Sequence, residues 1–340
     1  MKNSNRREFI RNSTVAGIGI GMGVTRFDLQ PDFKNHEKGK RIGLIGLDTG
    51  HSVAFTKSIN DPLAGNKYYG YKVVAAYPNG TDKIEEWRVR IPEITAEVKS
   101  YGVEIVNSIE ELLEKVDTVL LTCVDGNKHL EQAIPVFKAG KPVYINKPIA
   151  ASLEDAYAIA REAKRYNAKM FSSSALRFLG GIKEIAGGEL GRVTGADAYS
   201  PAPIEKNHPD LYWYGVHGVE ILYSVMGRGC KSVQRTYTEG TELVVGIWED
   251  QRIGTFRGIR DGHEDYGGTV FGEKGIKKLP DYAGYDAMLT AITKFFNTGI
   301  VPVPVEETLE IFAFLQAAEE SKKRGGAVVD IKSVTEGLNF

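Results

Sequence analysis

Apolar and polar positions alternate in two different ways on either side of residue 176. Before it, short continuous apolar runs such as 41–47 and 117–124 are separated by segments whose apolar residues have helical spacing. Parallel strands that are buried on both faces read as continuous apolar runs, and each pair needs a crossover helix. This alternation therefore predicts a doubly wound, Rossmann-like parallel sheet.

The second half has a different pattern. A strand-like run at 192–199 and a helix at 216–226 precede four strand-like runs, at 232–237, 241–248, 253–258 and 268–271. Consecutive strands with short connections favour antiparallel pairing. We therefore predict an α/β chain with a Rossmann-like dinucleotide-binding domain at 40–175. An α+β domain with a broad, mostly antiparallel sheet is predicted at 176–340.

The first residues are predicted to be an export signal rather than part of the fold. Arg6-Arg7 is followed by Phe9 and by a mildly apolar stretch over 14–24. These features, in this order, resemble a twin-arginine signal, whose route carries proteins that fold before export. We predict a signal at 1–26, a polar linker at 27–39 and a periplasmic protein. The alternative is a frayed basic tail on a cytoplasmic protein.

Composition and charge restrict the partners. Lys and Arg number 43 and Asp and Glu 44, so the net charge is −1, which argues against a nucleic-acid partner or an anionic membrane surface. Cys123 and Cys230 are the only cysteines, which excludes a disulfide-rich scaffold and a thiolate zinc cluster. No apolar run reaches the roughly 18–20 residues that span a bilayer. Since no cysteine lies directly after the predicted signal, we expect no lipid anchor either.

The first strand-to-helix turn carries an incomplete dinucleotide fingerprint. The full fingerprint has glycines for the tight turn, for backbone approach to the diphosphate and for helix packing. Gly46 occupies the first position, but Asp48 stands at the second and His51 at the third, beside Gly50. A carboxylate about 5 Å from a phosphate charge costs roughly 3 kcal/mol at an effective dielectric near 20. We expect dinucleotide affinity to fall more than a hundredfold unless Asp48 turns away; the alternative is a turn that binds nothing.

The end of the second predicted strand departs from the same pattern. An NAD site usually has Asp or Glu at this place, for the ribose hydroxyls, whereas this chain has Tyr77 and Pro78. Asp82 is an alternative for that role, although it follows late in the sequence. Tyr77 is therefore the candidate cofactor contact at this strand end.

A longer motif follows the fourth predicted strand. It comprises His129 in a helix, Gly140-Lys141, a short strand and Lys147-Pro148. This arrangement resembles the Gfo/Idh/MocA family, which contains the glucose–fructose oxidoreductases, the inositol dehydrogenases and their sugar-oxidising relatives. Asn146 stands where the family has a glutamate. The resemblance covers about residues 40–335.

The resemblance implies roles for the residues of this stretch. Lys147 would touch both the nicotinamide ribose and the substrate hydroxyl that is oxidised; the alternative is a surface lysine. His129, Asn146 and Asp125 would contact the cofactor. Asp125 lies at a strand-to-helix turn, so capping of the helix is its alternative role.

A second part of the family pattern lies further along the chain. Gly215, His217 and Glu220 match it, while Trp213 stands at the place of the family's assisting aspartate. The resemblance implies that His217 exchanges the proton of the substrate hydroxyl, and a histidine that titrates near neutral pH suits this role. Glu220 lies one helical turn away and would orient the imidazole. His217 and Glu220 are too few ligands to predict a metal site.

Three side chains are further candidates for substrate binding. Arg177 follows the last parallel strand and would face the cleft between the domains, with a structural ion pair as the alternative. Trp213 and Tyr214 are adjacent aromatic residues, on which the apolar face of a sugar would stack. A hydrophobic lid is the alternative for these rings.

These observations lead to one expected function and two alternatives. The resemblance implies an oxidoreductase that removes a hydride from a carbinol carbon of a sugar, cyclitol or glycoside, with NAD or NADP as cofactor, in a homo-oligomer. The first alternative is a glycoside hydrolase or lyase that uses tightly bound NAD through a keto intermediate. The second, motivated by Asp48, Tyr77 and Trp213, is a redox-inactive carbohydrate-binding protein.

Overall fold

Two β-sheets, one parallel and one mostly antiparallel, organise the part of the chain that this computed structural model describes, residues 39–340. The predicted export signal, and the predicted linker up to residue 38, lie outside the described residues. Among the helices of residues 39–340, none combines the length and apolar character needed to cross a bilayer.

The parallel sheet has six strands in the order β3-β2-β1-β4-β5-β6. Its strands are β1 (Arg41–Ile45), β2 (Lys72–Tyr77), β3 (Glu104–Ile105), β4 (Thr118–Leu121), β5 (Val143–Ile145) and β6 (Met170–Ser172). The strand order reverses between β1 and β4. In such a sheet the ligand crevice lies beyond the carboxyl ends of these strands, so the loops after β1, β2 and β4 form its walls.

Helices connect these strands and cover the sheet. They are α1 (Gly50–Asn60), α2 (Glu85–Arg88), α3 (Ile91–Ser100), α4 (Ile109–Lys115), α5 (His129–Lys138) and α6 (Leu153–Arg165). Ser108 caps α4 by accepting a hydrogen bond from the N–H of Glu111, whose carboxylate accepts one from the N–H of Asn107. These two reciprocal bonds form a capping box, which fixes the start of this helix at Ile109.

The second sheet has seven strands in the order β12-β11-β7-β10-β9-β8-β13. They are β7 (Val193–Pro201), β8 (Cys230–Tyr237), β9 (Thr241–Trp248), β10 (Ile253–Ile259), β11 (Gly267–Gly272), β12 (Gly275–Lys278) and β13 (Val329–Asp330). The β7–β10 pair is parallel, while the other neighbouring strands run antiparallel. The predicted fold class is confirmed.

The helices of the second half are α7 (Ile182–Ala186), α8 (Asp210–Trp213), α9 (Val216–Met226), α10 (Asp286–Thr298), α11 (Val305–Lys323) and α12 (Ile331–Thr335). Helix α9 lies directly on the second sheet. A Cβ atom on Gly218 would overlap the ring of Phe256 on β10, so a glycine is needed for this close approach. The packing fixes the first turn of α9, which contains His217, beside the turn Ala175–Phe178 that follows β6.

Several short elements were absent from the sequence prediction. Helices α2 and α8, strand β12 and the final pair β13 and α12 are examples. Elements of two to five residues contain too few positions to show a hydrophobic period.

Candidate active site in the cleft beside Lys147

Lys147 follows β5 and is buried with its ammonium group among aromatic rings. Its Nζ lies 5.0 Å from the ring centroid of Tyr214 and 5.7 Å from that of Trp213, and the residue is 6% exposed. Burial lowers the pKa of Lys147 to about 8, because the ammonium group loses its hydration and the ring faces replace only part of it. Within residues 39–340, no carboxylate forms an ion pair with this lysine.

The His217 ring packs against the same Tyr214 ring that Lys147 contacts. The centroids of the His217 and Tyr214 rings are 4.9 Å apart, and Tyr266 packs edge-on at 5.8 Å. The Nδ1 atom lies 2.6 Å from the hydroxyl of Ser174. Burial, followed by the positive charge of Lys147, lowers the pKa of His217 well below its usual value. The imidazole is therefore neutral at neutral pH, the form that accepts a proton.

His51 and Asn146 form a second polar pair at this place. The Nδ1 of His51 lies 3.1 Å from the Oδ1 of Asn146, and its ring contacts Phe55 and Tyr285. Burial and the charge of Lys147 lower the pKa of His51 to about 3. The Nδ2 of Asn146 is buried without a hydrogen-bond partner, so it is a donor available to a ligand.

Tyrosines from the second half of the chain complete an aromatic wall, which consists of Tyr214, Tyr266, Tyr282 and Tyr285. The hydroxyls of Tyr214 and Tyr266 are 3.2 Å apart, and the rings of Tyr282 and Tyr285 pack at 5.9 Å. Ring faces with hydroxyl groups at their edges suit a ligand that presents both C–H and O–H groups. Sequence reasoning found Tyr214 but missed the other three tyrosines, which lie outside the family motifs. It gave no role to Ser174, because only the fold brings this serine to His217.

Arg177 and Glu220 form an ion pair with each other in the protein interior. The Nε of Arg177 lies 2.6 Å from Glu220 Oε2, and its Nη1 lies 2.5 Å from Glu307. Both side chains are nearly buried, so the structural ion pair, the alternative for Arg177, is the arrangement observed. The prediction that Glu220 orients His217 is wrong, because its carboxylate bonds to Arg177 while Ser174 bonds to the imidazole.

His129 and Asp125 were predicted to contact the cofactor, but their side chains form hydrogen bonds within the protein. Both ring nitrogens of the fully buried His129 contact backbone carbonyls, Cys123 O at 2.9 Å and Ile149 O at 3.0 Å. Asp125 accepts hydrogen bonds from the N–H of Asn127 and from the hydroxyl of Thr81. These two residues hold the loop after β4 in shape, and neither presents a free polar group to a cofactor.

The three remaining fingerprint candidates have different surroundings. Gly46 has a φ of +86°, and a Cβ there would overlap Cys123, so this glycine is needed for the turn. Gly50 is exposed with open space around it and does not serve close helix packing. Tyr77 is half-buried at the rim of a cavity of about 610 Å³ that Arg88 and Gln132 also line.

The turn after β1 holds a carboxyl group of its own. Asp48 is fully buried; its Oδ2 accepts a hydrogen bond from the N–H of Thr81 at 2.5 Å and its Oδ1 accepts one from the N–H of Val124 at 3.0 Å. A Cβ on Gly80 would overlap this carboxylate. The carboxyl group of Asp48 therefore closes the gap between the turn after β1 and the backbone of Gly80 and Thr81, and this gap does not accommodate the diphosphate of a dinucleotide.

No metal centre is evident in the described region either. Among residues 39–340, no group of three or more His, Cys, Asp or Glu side chains is placed to hold a metal ion. His217 and Glu220, the pair considered from the sequence, bond to Ser174 and Arg177 instead.

The fold and the cleft together define a Rossmann-type protein with a lysine, a neutral histidine and aromatic rings between its two sheets. Residues 40–174 match the family model GFO_IDH_MocA, described as an oxidoreductase family with an NAD-binding Rossmann fold. The resemblance predicted from the sequence is confirmed over these residues, which make up the Rossmann domain and less than half of the chain.

Two curated relatives support the same family. The uncharacterized oxidoreductase YhhX of Escherichia coli (strain K12) is 28% identical over 153 residues, which are 40% of this chain and 43% of that protein. An uncharacterized oxidoreductase of Streptococcus pneumoniae is 27% identical over 123 residues, 35% of this chain and 33% of that protein. The matches thus span less than half of either relative.

Solved structures show the same fold along most of the chain. The scyllo-inositol dehydrogenase of Lactobacillus casei, with bound NAD(H) and scyllo-inositol, has a TM-score of 0.68 at 16% identity and covers 86% of this chain and 98% of its own. The myo-inositol dehydrogenase of the same organism, in complex with NAD(H) and myo-inositol, also has a TM-score of 0.68 at 16% identity, with coverages of 85% and 96%. Identities this low establish the fold alone.

Proposed function

We propose that this protein is an oxidoreductase that acts on a polyhydroxylated ring, a sugar, a cyclitol or a glycoside, bound in the cleft beside Lys147. One observation carries the proposal. The ammonium group of Lys147 is buried against the rings of Tyr214 and Trp213, and a neutral His217 packs on the same Tyr214 ring. A cation and a base that are buried side by side are the groups needed to move the proton of a hydroxyl.

The two side chains have complementary charge states. Below about pH 8, which is the pKa of Lys147, the ammonium group is charged and would donate a hydrogen bond to the ring hydroxyl that reacts. It would stabilise negative charge that develops on that oxygen. His217 is neutral and would accept the proton, since Ser174 holds its Nδ1 and leaves Nε2 for the substrate.

The lining of the cleft supports the substrate class. The aromatic wall offers ring faces and phenol hydroxyls, and the unpartnered Nδ2 of Asn146 offers a buried donor. A ring with alternating C–H and O–H groups meets both kinds of surface. The two inositol dehydrogenases with this fold bind cyclitols, so cyclitols are the first compounds to test.

NAD or NADP is the redox partner that the family match suggests. The arrangement around Asp48 does not accommodate its diphosphate, so we assign no residue of this chain to hydride transfer. The same observation favours a second candidate function, a redox-inactive protein that binds a carbohydrate in the cleft.

A substrate screen tests the proposal and separates the candidates. Purified protein is incubated with cyclitols, monosaccharides and glycosides, with and without NAD⁺ or NADP⁺, and the products are identified by mass spectrometry. A product two hydrogens lighter, absent with Lys147→Met and His217→Ala, supports the oxidoreductase. Ligand that is bound and recovered unchanged supports the binding protein. Free sugar released without net NADH would instead indicate the hydrolase or lyase and contradict the proposal.

A further inference from the structure

We propose that the Asp48 carboxyl group occupies the diphosphate end of the nucleotide crevice, so that a dinucleotide binds this chain only by displacing it. The inference rests on the proposed function only in taking a dinucleotide as the ligand of the crevice. It assigns an autoinhibitory contact to the first strand-to-helix turn.

The position of Asp48 is the first argument. It stands two residues after Gly46, where a dinucleotide fingerprint has the glycine that lets the backbone approach the diphosphate. Its carboxylate is fully buried and bonds to the N–H groups of Thr81 and Val124. The thiol of Cys123 lies 3.4 Å from Oδ2 and donates to it. These N–H and S–H groups lie at the carboxyl edge of the sheet, where an anionic ligand would bind. Because they already donate to Asp48, they are not available to such a ligand.

The chain that covers Asp48 is the second argument. Residues 79–84, which we term the crossing segment, follow β2 and run over the ends of β1 and β4. Gly80 lies so close to the Asp48 carboxylate that a Cβ atom would overlap it, and the amide of Thr81 completes the contact. No phosphate would enter between the crossing segment and the turn after β1 while this contact is in place.

The crossing segment is also fixed on its other side. The hydroxyl of Thr81 donates to Asp125 at 2.9 Å, and Gln132 Nε2 donates to the carbonyl of Asn79 at 3.2 Å. The Nζ of Lys128 pairs with Asp82 at 3.0 Å. These bonds tie the segment to the loop after β4 and to the start of α5.

An apolar contact closes the inner end of the crossing segment. Ile84, Val124 and Trp213 form a small buried cluster against which Tyr214 packs. Trp213 also contacts Lys147, so the segment reaches the wall of the proposed substrate cleft. Displacement of Asp48 would thus be coupled to the surroundings of the catalytic lysine.

Dinucleotide titrations test the inference without a substrate. The dissociation constant for NAD⁺ is measured by calorimetry with the wild-type protein, with Asp48→Gly, which restores the fingerprint residue, and with Asp48→Asn, which keeps the shape but removes the charge. Glu86→Gln is the matched control, because it removes an exposed carboxylate just after the crossing segment without touching the bonds that fix that segment. We expect Asp48→Gly to bind at least a hundredfold more tightly than the wild type, Asp48→Asn to bind more tightly than the wild type, and Glu86→Gln to match it within threefold.

Two results would overturn the inference: wild-type binding as tight as that of Asp48→Gly, or no binding by any folded variant. If the variants do not fold, amide hydrogen exchange of the wild-type protein tests the same inference. The Thr81 and Val124 amides are expected to be protected, and saturating NAD⁺ is expected to speed the exchange of Thr81. NAD⁺ binding with unchanged or slower exchange there would contradict displacement. Failure of the substrate screen alone would leave these binding results standing.

Discussion

The hydroxyl of Ser174 lies 2.6 Å from Nδ1 of His217, so a neutral serine rather than a carboxylate holds the imidazole. The family resemblance implies an aspartate at position 213, where this chain has Trp213. Without a carboxylate beside it, and with Lys147 nearby, the ring stays neutral. The partner of the proposed base therefore comes from the loop after β6 and not from the helix that carries the histidine.

Replacement of Ser174 tests this relationship. Ser174→Ala removes the bond that orients the ring; because such a bond contributes about 1 kcal/mol, we expect turnover to fall about fivefold and the tautomer of His217 to change. Nitrogen NMR reads the tautomer directly. Ser173→Ala is the matched control, since the hydroxyl of Ser173 is buried without a partner and its loss should change neither quantity. An unaltered His217 spectrum in Ser174→Ala would contradict the assignment.

Lys147→Met is expected to abolish turnover and yet to stabilise the fold. The pKa of Lys147 drops from 10.5 to about 8 on folding, which corresponds to about 3 kcal/mol of unfavourable burial at pH 7. The wild-type free energy of unfolding should rise between about pH 8 and pH 10.5, where the unfolded chain binds the proton and the native protein does not. Urea unfolding across this range checks both effects. If the free energy of unfolding depends on pH in the same way in the wild type and in Lys147→Met, both expectations are contradicted.

Part of this site could be predicted from the sequence because local motifs specify it. Lys147 and His217 lie in short sequence motifs that resemble those of the family. The structure places both side chains against the ring of Tyr214. Ser174 and Tyr285 could not be found this way, since their positions depend on how the two sheets pack. Arg177 and Glu220 were misassigned because a sequence does not show that two opposite charges will meet in the interior.

The Arg177–Glu220 pair is expected to stabilise the protein rather than to bind substrate. Arg177→Met leaves the buried Glu220 carboxylate without its partner, so the free energy of unfolding should fall by about 3–5 kcal/mol, while ligand affinity of the folded fraction should be unchanged. Arg192→Met serves as the comparison, because the Arg192–Glu273 pair is exposed and should contribute less than about 1 kcal/mol. Loss of ligand binding in a stable Arg177→Met protein would restore the original prediction.

Acid should destabilise the protein through His51. Its pKa is lowered from 6.5 to about 3, so the unfolded chain binds a proton that the native protein does not, and stability declines as the pH falls from 6.5 towards 3. His51→Gln should reduce this pH dependence by about one proton. Equal slopes for His51→Gln and the wild type, measured by chemical unfolding, would show that His51 takes up a proton without unfolding.

We also propose that the protein is exported by the twin-arginine route, from Arg6-Arg7 and the apolar stretch that follows. Conversion of both arginines to lysine should retain a reporter fusion in the cytoplasm, whereas Arg11→Lys, outside the pair, should not. Fractionation of cells that carry the fusions measures the outcome. Export of the double variant at the wild-type level would argue for a basic tail without a targeting role.

The cleft beside Lys147 as a site for polyhydroxylated rings is the central claim, and ligand capture tests it most directly. The purified protein is equilibrated with a mixture of cyclitols, sugars, amino acids and aromatic acids, separated from unbound compounds, and the retained ligand is identified by mass spectrometry. We predict that a cyclitol or sugar is retained by the wild type and lost in Tyr214→Ala and Lys147→Met. Retention of only a non-carbohydrate compound, or equal retention of a sugar by all three proteins, would contradict the account.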